Sequence, residues 1–237
     1  VTGNLDAPCI CIESDNQNAE EFMSVLDPFA LSQEEVVKRI REAGIVGMGG
    51  AAFPTHVKLS PPKDKEIDCV LANAAECEPY LTPDVREILE DSENVVEGMK
   101  MVAKLLEVKN AVIGIEDNKP EAIKALKACV ADTGVQVDVL PAKYPQGAEK
   151  QLIQAITGRQ VSSGQLPVSV GCAVFNVSTF AAIYRAVRMG LPITRRIVTV
   201  SGEAIAQPQN FIVRIGTSFH DLLKEAGGLN NRTERVI

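Results

Sequence analysis

Between Gly44 and Lys58 the chain reads Gly-Ile-Val-Gly-Met-Gly-Gly-Ala-Ala-Phe-Pro-Thr-His-Val-Lys, which crowds small residues beside one aromatic ring and one lysine. Such a stretch suits a flat, phosphorylated cofactor. Glycine has no Cβ, so Gly47, Gly49 and Gly50 can reach positive φ and let main-chain N–H groups approach a phosphate. Phe53 could cover a ring. Lys58 is the only formal cation between Glu42 and Pro62, so a bound anion would rest mainly on backbone dipoles plus this one ammonium. The spacing fits neither G-x-G-x-x-G nor G-x-x-x-x-G-K-S/T, and a flexible glycine turn is the alternative reading.

Three further segments carry polar groups that could line the same place. Asn73, Glu76 and Glu78 follow the apolar run Cys69-Val-Leu-Ala. Read as a general acid/base pair or a metal site, the two glutamates lack support, because the only histidines, His56 and His220, lie far apart with no ligand spacing. No metal is therefore expected. Solvated carboxylates, or caps of the next helix, are the plain alternative. Tyr144, Gly147 and Glu149 sit in Lys143-Tyr-Pro-Gln-Gly-Ala-Glu-Lys, where the tyrosine pairs an apolar body with a polar tip. Asn176 and Thr179 stand at a helix start, where capping is the simplest role. Taken alone, Phe53 reads first as a core plug beside Pro54, and Lys58 as a solvated lysine.

The elements that must position these residues follow from patterning. Ser32 with Glu35 forms a capping pattern, and Val36, Val37 and Ile40 repeat at helical spacing until Gly44. The run from Cys69 to Asn73 reads as a buried strand. Pro83 opens a helix through Ile88, and a second amphipathic run follows Ser92. Then come a strand at Ala111–Ile115, a helix after Pro120, a strand at Val135–Val139, a helix after Glu149, a strand at Cys172–Asn176 and a helix from Val177 to Met189. This β-α-β rhythm predicts a parallel sheet, and open α/β sheets bind ligands beyond their strand carboxyl ends. The four polar segments should therefore converge on one crevice. After Gly190-Leu-Pro the pattern shifts to a β-hairpin and a helix, consistent with a small second module. Residues 1–30 read as the short strand Pro8–Ile12 and an irregular approach, the edge of a domain or linker.

Composition sets outer bounds. At 237 residues the chain can bury a real core, and its net charge of −7 with no basic tract argues against nucleic acid as a partner. Its six cysteines show no C-x-x-C spacing, so a reducing compartment is expected, with Cys69 and Cys172 as core strand residues. No apolar run is long enough to span a bilayer, and no signal peptide is visible. The chain begins without methionine, which suggests a piece of something larger.

With these residues in view, the chain resembles the RnfC family, a component of the membrane-associated Rnf ferredoxin:NAD oxidoreductase, over nearly its whole length. The resemblance rests on Gly-Met-Gly-Gly-Ala-Ala-Phe-Pro-Thr-His-Val-Lys-Leu-Ser-Pro-Pro, Ala-Glu-Cys-Glu-Pro-Tyr-Leu-Thr, Gly-Ile-Glu-Asp-Asn-Lys-Pro, Lys-Tyr-Pro-Gln-Gly-Ala-Glu-Lys-Gln-Leu and Val-Thr-Val-Ser-Gly-Glu-Ala. A more distant likeness joins it to the flavin-carrying, NADH-oxidising subunit of respiratory complex I.

The resemblance implies an α/β fold: a Rossmann-like FMN-binding domain with a parallel sheet over residues 31–190, then a β-grasp module of the soluble-ligand-binding type over 191–237. It implies FMN contacts from Gly47, Gly49, Gly50, Lys58, Asn73, Glu76, Tyr144, Gly147, Asn176 and Thr179. Phe53 would stack on NAD(H), with Glu78 and Glu149 nearby, and Lys58 and Phe53 would serve the hydride step. The family's 4Fe-4S clusters follow the β-grasp module and are not expected in this chain. Partners would be the other subunits of an ion-translocating membrane complex and, indirectly, ferredoxin. The place would be peripheral, on the cytoplasmic side of a bacterial membrane. Met48, Ala75, Ala148 and Phe175 depart from the complex I pattern, where more charged groups are usual, which bears on how NADH would sit. Two other readings stay open: a cobalamin reductase of bacterial microcompartments, and a flavin-free docking scaffold.

Overall fold

A computed structural model describes residues 11–13, 15, 17, 19–62, 64–230 and 236. Pro8–Ile10 of the expected first strand lie outside the described residues, and Cys11 and Ile12 belong to no strand. Helix α1 (Gln33–Glu42) begins as the sequence predicts. Ser32 and Glu35 form a reciprocal capping box, and the chain leaves the helix through Ala43 and then Gly44 at φ 68°.

A parallel four-stranded sheet follows, built from β1 (Cys69–Ala74), β2 (Asn110–Glu116), β3 (Val135–Leu140) and β4 (Cys172–Asn176) in the order β3-β2-β1-β4. Strands buried on both faces need apolar residues at nearly every position, and Val70, Leu71, Ala72, Ile113 and Ile115 are fully buried. Helices α3 (Pro83–Leu105) and α6 (Val177–Tyr184) pack on one face, with Val95, Met99, Phe180 and Ile183 in the main core. Helix α5 (Glu149–Thr157) covers the other face with Leu152 and Ile153. Helix α4 (Pro120–Cys129) links β2 to β3 and lies against α3. Chain order reverses between β1 and β4, so their carboxyl ends flank the switch-point crevice where such sheets receive ligands. Cys69 and Cys172 are buried register partners at the opposite, amino ends of these two strands.

The two helices read from sequence after Pro83 abut at a kink within α3, where Asp91, at φ −149° and ψ 40°, leaves helical geometry. The break is anchored: Arg185 donates through Nε to the Asp91 carboxylate at 3.0 Å and also pairs with Glu87. Arg185 itself starts a π-helical turn, Arg185–Met189, that continues α6 to Gly190 at φ 69°.

The second module is a hairpin of β5 (Arg195–Val200) and β6 (Gln209–Arg214) with α7 (Phe219–Glu225), closed over Val200, Leu222 and Ala226. The irregular segment before α1 ties the two parts together. The Met23 N–H donates to the Gly190 carbonyl at 2.8 Å, and Arg39 holds both the carbonyl and hydroxyl of Ser24. Glu20 accepts from Arg195 and Arg214, two like charges directly opposite each other across the hairpin.

Candidate functional site

The carboxyl ends of β1 and β4 present Asn73 and Asn176 as register partners. Each side chain holds a neighbouring loop. Asn73 donates to the Gly147 carbonyl at 2.8 Å and accepts from the Ala75 N–H at 3.1 Å. Asn176 caps α6 by accepting from the Ser178 N–H at 2.9 Å, and its amide donates to Asp84 at 2.6 Å. The Ser178 hydroxyl donates to the other Asp84 oxygen at 3.0 Å. Burial pushes the Asp84 carboxyl above its usual range, partly offset by these two donors.

The glycine stretch resolves into two pieces. A bridge between Val46 and Pro54, with the Gly47 N–H donating to the Phe53 carbonyl at 2.9 Å, closes a small loop. One helical turn, α2 (Thr55–Lys58), follows. The expectation that Gly47, Gly49 and Gly50 use positive φ is corrected. None of them lies in the left-handed region, and Ala52, at φ 52°, makes the turn instead.

Glycine matters here for close approach. A Cβ on Gly49 would stand 2.8 Å from the Asn176 Cβ, and a Cβ on Gly147 would stand 2.1 Å from the Ala75 carbonyl oxygen. Gly50 has open space around it. Among the described residues, the amides of Gly49, Gly50, Ala51 and Ala52 donate to no protein acceptor. The loop is nonetheless anchored, because the Met48 N–H donates to the Thr179 hydroxyl at 3.0 Å.

Lys58 is half-buried, which removes its reading as a solvated lysine. Its ammonium donates to the Val174 carbonyl at 2.6 Å, pairs with Glu149 at 3.3 Å and lies 5.1 Å from the Phe175 ring centroid. Phe53 is 51% exposed, so it is no core plug. It offers a free aromatic face, as does Tyr144, 72% exposed. Glu78 is exposed. The Gly147 N–H donates to the Cys77 sulfur at 3.2 Å, and burial raises the Cys77 thiol pKa. All four predicted segments thus meet at the switch point, joined by hydrogen bonds.

Glu76 is placed differently from its neighbours. One carboxyl oxygen accepts from the Asp84 N–H at 2.9 Å, at the start of α3, where Thr82 provides no side-chain cap. The other oxygen is buried without a partner. Burial raises its pKa to about 7. The helix-cap reading therefore describes one oxygen of Glu76 and leaves the second free for a ligand donor.

Sequence reasoning missed Asp84 and Arg196. Asp84 joins both flanks of the crevice, and Arg196 of β5 donates to the Met48 carbonyl at 2.7 Å. Pro83 marked only the start of a helix, and nothing in Arg195-Arg196 pointed back to residue 48. A cavity of about 760 Å³ lies next to the crevice, between α3, α6 and the hairpin. It shares Met48, Asp84, Ser178 and Arg196 with the residues that build the crevice.

The sheet order, the switch-point crevice and two loops closed down to glycine define a Rossmann-like nucleotide-cofactor protein. The family model described as the Nuo51 FMN-binding domain matches residues 40–185, and an SLBB domain model matches 197–236. The chain belongs to the Nuo51 FMN-binding domain family. It is 54% identical over 207 residues to one component of the proton-translocating ferredoxin:NAD(+) oxidoreductase complex of Clostridium ljungdahlii, covering 87% of this chain and 45% of that one. It is 48% identical over 208 residues to the corresponding component of the Na(+)-translocating ferredoxin:NAD(+) oxidoreductase complex of Acetobacterium woodii, covering 87% and 47%. The chain thus spans about half the length of these curated relatives. A chain of an NAD+-reducing NiFe-hydrogenase in the air-oxidized state shares the fold at TM-score 0.73 and 23% identity, covering 84% of this chain and 39% of that one. Among the described residues, no helix is long and apolar enough to cross a membrane.

Proposed function

We propose that this chain is the FMN-bearing electron-transfer part of an ion-translocating ferredoxin:NAD oxidoreductase, exchanging a hydride with NAD(H) and passing electrons to iron–sulfur centres outside it. One observation carries the cofactor assignment. Gly49 and Gly147, on opposite loops of the switch-point crevice, both stand where a Cβ would collide, beside loop amides with no protein acceptor. The buried, partnerless oxygen of Glu76 adds a polar group awaiting a donor. These features fit a phosphorylated flavin, which has both an anionic end and N–H and hydroxyl donors.

When bound, FMN supplies the conversion between two-electron hydride chemistry and one-electron carriers. The protein supplies place and charge. Loop amides from Gly49 onward would hold the flavin, with Asn73, Gly147, Asn176 and Thr179 fixing the loops around it. Tyr144 would border the opening. Lys58, held by Val174 and Glu149, brings positive charge to the crevice and favours an electron-rich ring. Phe53 offers an aromatic face for nicotinamide, and Glu78 and Glu149 provide acceptors for ribose hydroxyls. The crevice has few charged residues at Met48, Ala75, Ala148 and Phe175, so NAD(H) would be held more by stacking than by ion pairs.

We divide the chain into an approach segment (1–30), the flavin domain (31–190) and the β-grasp module (191–237). Its partners would be other subunits of a membrane complex, with ferredoxin reached through them, and its place the cytoplasmic face of a bacterial membrane. The names of the relatives support this reading over cobalamin reduction. Titrating the folded chain with FMN should quench flavin fluorescence saturably. Failure to do so in material with a cooperative melt refutes the flavin assignment.

A further inference from the structure

Met48 is held through both of its backbone polar groups, one in each of the two peptides that flank it. The Met48 N–H donates to Thr179 of α6 at 3.0 Å, and the Met48 carbonyl accepts from Arg196 of the second module at 2.7 Å. Arg196 makes no ion pair with a carboxylate within bonding distance among the described residues, although Asp84 and Glu87 lie near enough to act on it electrostatically. Its one hydrogen bond is therefore spent on the glycine loop. Burial costs the charge, lowering the guanidinium pKa.

In a trans peptide the carbonyl and the following N–H point in opposite directions. Fixing the Met48 oxygen toward Arg196 therefore aims the Gly49 N–H away from the second module, and that amide has no protein acceptor. Without a clamp, a Met-Gly-Gly backbone could flip this peptide at little steric cost. A cation on the carbonyl also polarises the same peptide group, making its N–H a better donor to an electron-rich ligand. The second module reaches the opposite flank too, since Thr199 accepts from the Thr82 N–H at 3.2 Å and Ser201 donates to the Tyr80 carbonyl at 3.3 Å.

We propose that Arg196 is a positioning residue of the flavin site: by holding the Met48 carbonyl it presents the Gly49 amide to FMN, which makes the second module part of the cofactor site. This rests on the flavin reading above. The test compares FMN affinity, by fluorescence quenching, in the wild-type chain and in R196M, R196K and E20A, each checked by thermal melting. R196M keeps the apolar stem and removes the donor. R196K keeps a cation without the planar fork. E20A loosens the Glu20 clamp on Arg195 and Arg214 without touching the loop.

R196M should bind FMN about tenfold more weakly, the scale of one charge-assisted hydrogen bond. R196K should fall between R196M and wild type, and E20A should stay within about twofold of wild type. Wild-type affinity in folded R196M overturns the assignment and leaves the flavin reading intact. An equal loss in E20A also overturns it, because module docking rather than the peptide clamp would then be responsible. If R196M does not fold, R196K decides, and wild-type affinity in R196K overturns the assignment. A wild-type chain that binds no FMN refutes the flavin reading, and the role of Arg196 with it.

Discussion

Replacing Gly49 with alanine separates a cofactor cradle from a structural turn. The new Cβ would sit 2.8 Å from the Asn176 Cβ and 2.9 Å from its side-chain nitrogen, closer than real Cβ contacts allow. Gly49 is outside the left-handed region, so alanine brings no backbone penalty and the whole effect is steric. Either Asn176 or the loop must yield. Moving Asn176 forfeits the α6 cap, worth about 1 kcal/mol, and a hydrogen bond to the Asp84 carboxylate, worth about 1.5–3 kcal/mol. Moving the loop, which is exposed from Gly49 to Pro54, costs far less. G49A should therefore keep its melting temperature within about 3 °C, as expected for a substitution absorbed by a soft loop. It should lose FMN affinity by about 10-fold or more, because the displaced amides no longer converge. G50A is the internal control. Nothing lies within 4 Å of a Cβ at Gly50, so that variant should bind FMN as wild type does. Fluorescence titration and differential scanning calorimetry read both outcomes. If G49A binds FMN normally, or if it melts several kcal/mol below wild type with its FMN affinity intact, the loop is a structural turn and the argument fails.

Phe53→Ala should slow NADH-dependent flavin reduction in stopped flow by about tenfold, the scale of one lost aromatic contact, while FMN affinity stays unchanged. Equal NADH kinetics would remove Phe53 from the hydride step. Gly147→Ala forces a Cβ to 2.1 Å from a backbone oxygen, so it should destabilise the chain by about 2 kcal/mol or more, overpacking with no flexible neighbour to give way; an unchanged melt refutes this. Glu76, with a folded pKa raised to about 7 from 4.5, binds its proton more tightly folded than unfolded. Its contribution to stability is therefore full below about pH 4.5, falls as pH rises, and is gone above about pH 7, a span on the order of 3 kcal/mol. E76Q should flatten denaturant-measured stability across that window, and an unaltered pH profile would show that Glu76 is ionised throughout.

The sequence made the α/β order legible because each element carried its own local signal: a capping box at Ser32 and Glu35, apolar strands at Cys69 and Cys172, and proline starts at Pro83 and Pro120. It was silent where a long-range contact acts. The two helices read on either side of Asp91 meet at a kink there, and Arg185, 94 residues away, holds that kink. The candidate site divides in the same way. Asn73, Gly147, Asn176 and Thr179 could be picked out because polar and small residues at strand ends and helix starts point to a crevice. Asp84 and Arg196 could not, because each acts on the crevice through a residue distant in sequence, and neither contact leaves a local pattern. The glycine loop was legible as small but not as a shape. Its turn falls on Ala52, a residue type that gives no hint of positive φ.

The crevice wall is assembled from helix starts, and this determines how it can deform. Asn176 caps α6 while its amide binds Asp84, in the first turn of α3, and Glu76 caps that same turn from the end of β1. Any movement that opens this wall must break a cap and expose a buried carboxylate together, at a cost of several kcal/mol. The glycine loop opposite has no such coupling beyond Met48. Its four amides from Gly49 to Ala52 bond to no protein group among the described residues. One wall is therefore rigid and the other compliant, hinged at Met48, whose N–H and carbonyl are both bonded. A ligand entering between them would order the loop without disturbing the fold. Binding should then raise amide protection at Gly49–Ala52 far more than at Ser178 or Asp84, and equal protection at both walls would contradict this division of stiffness.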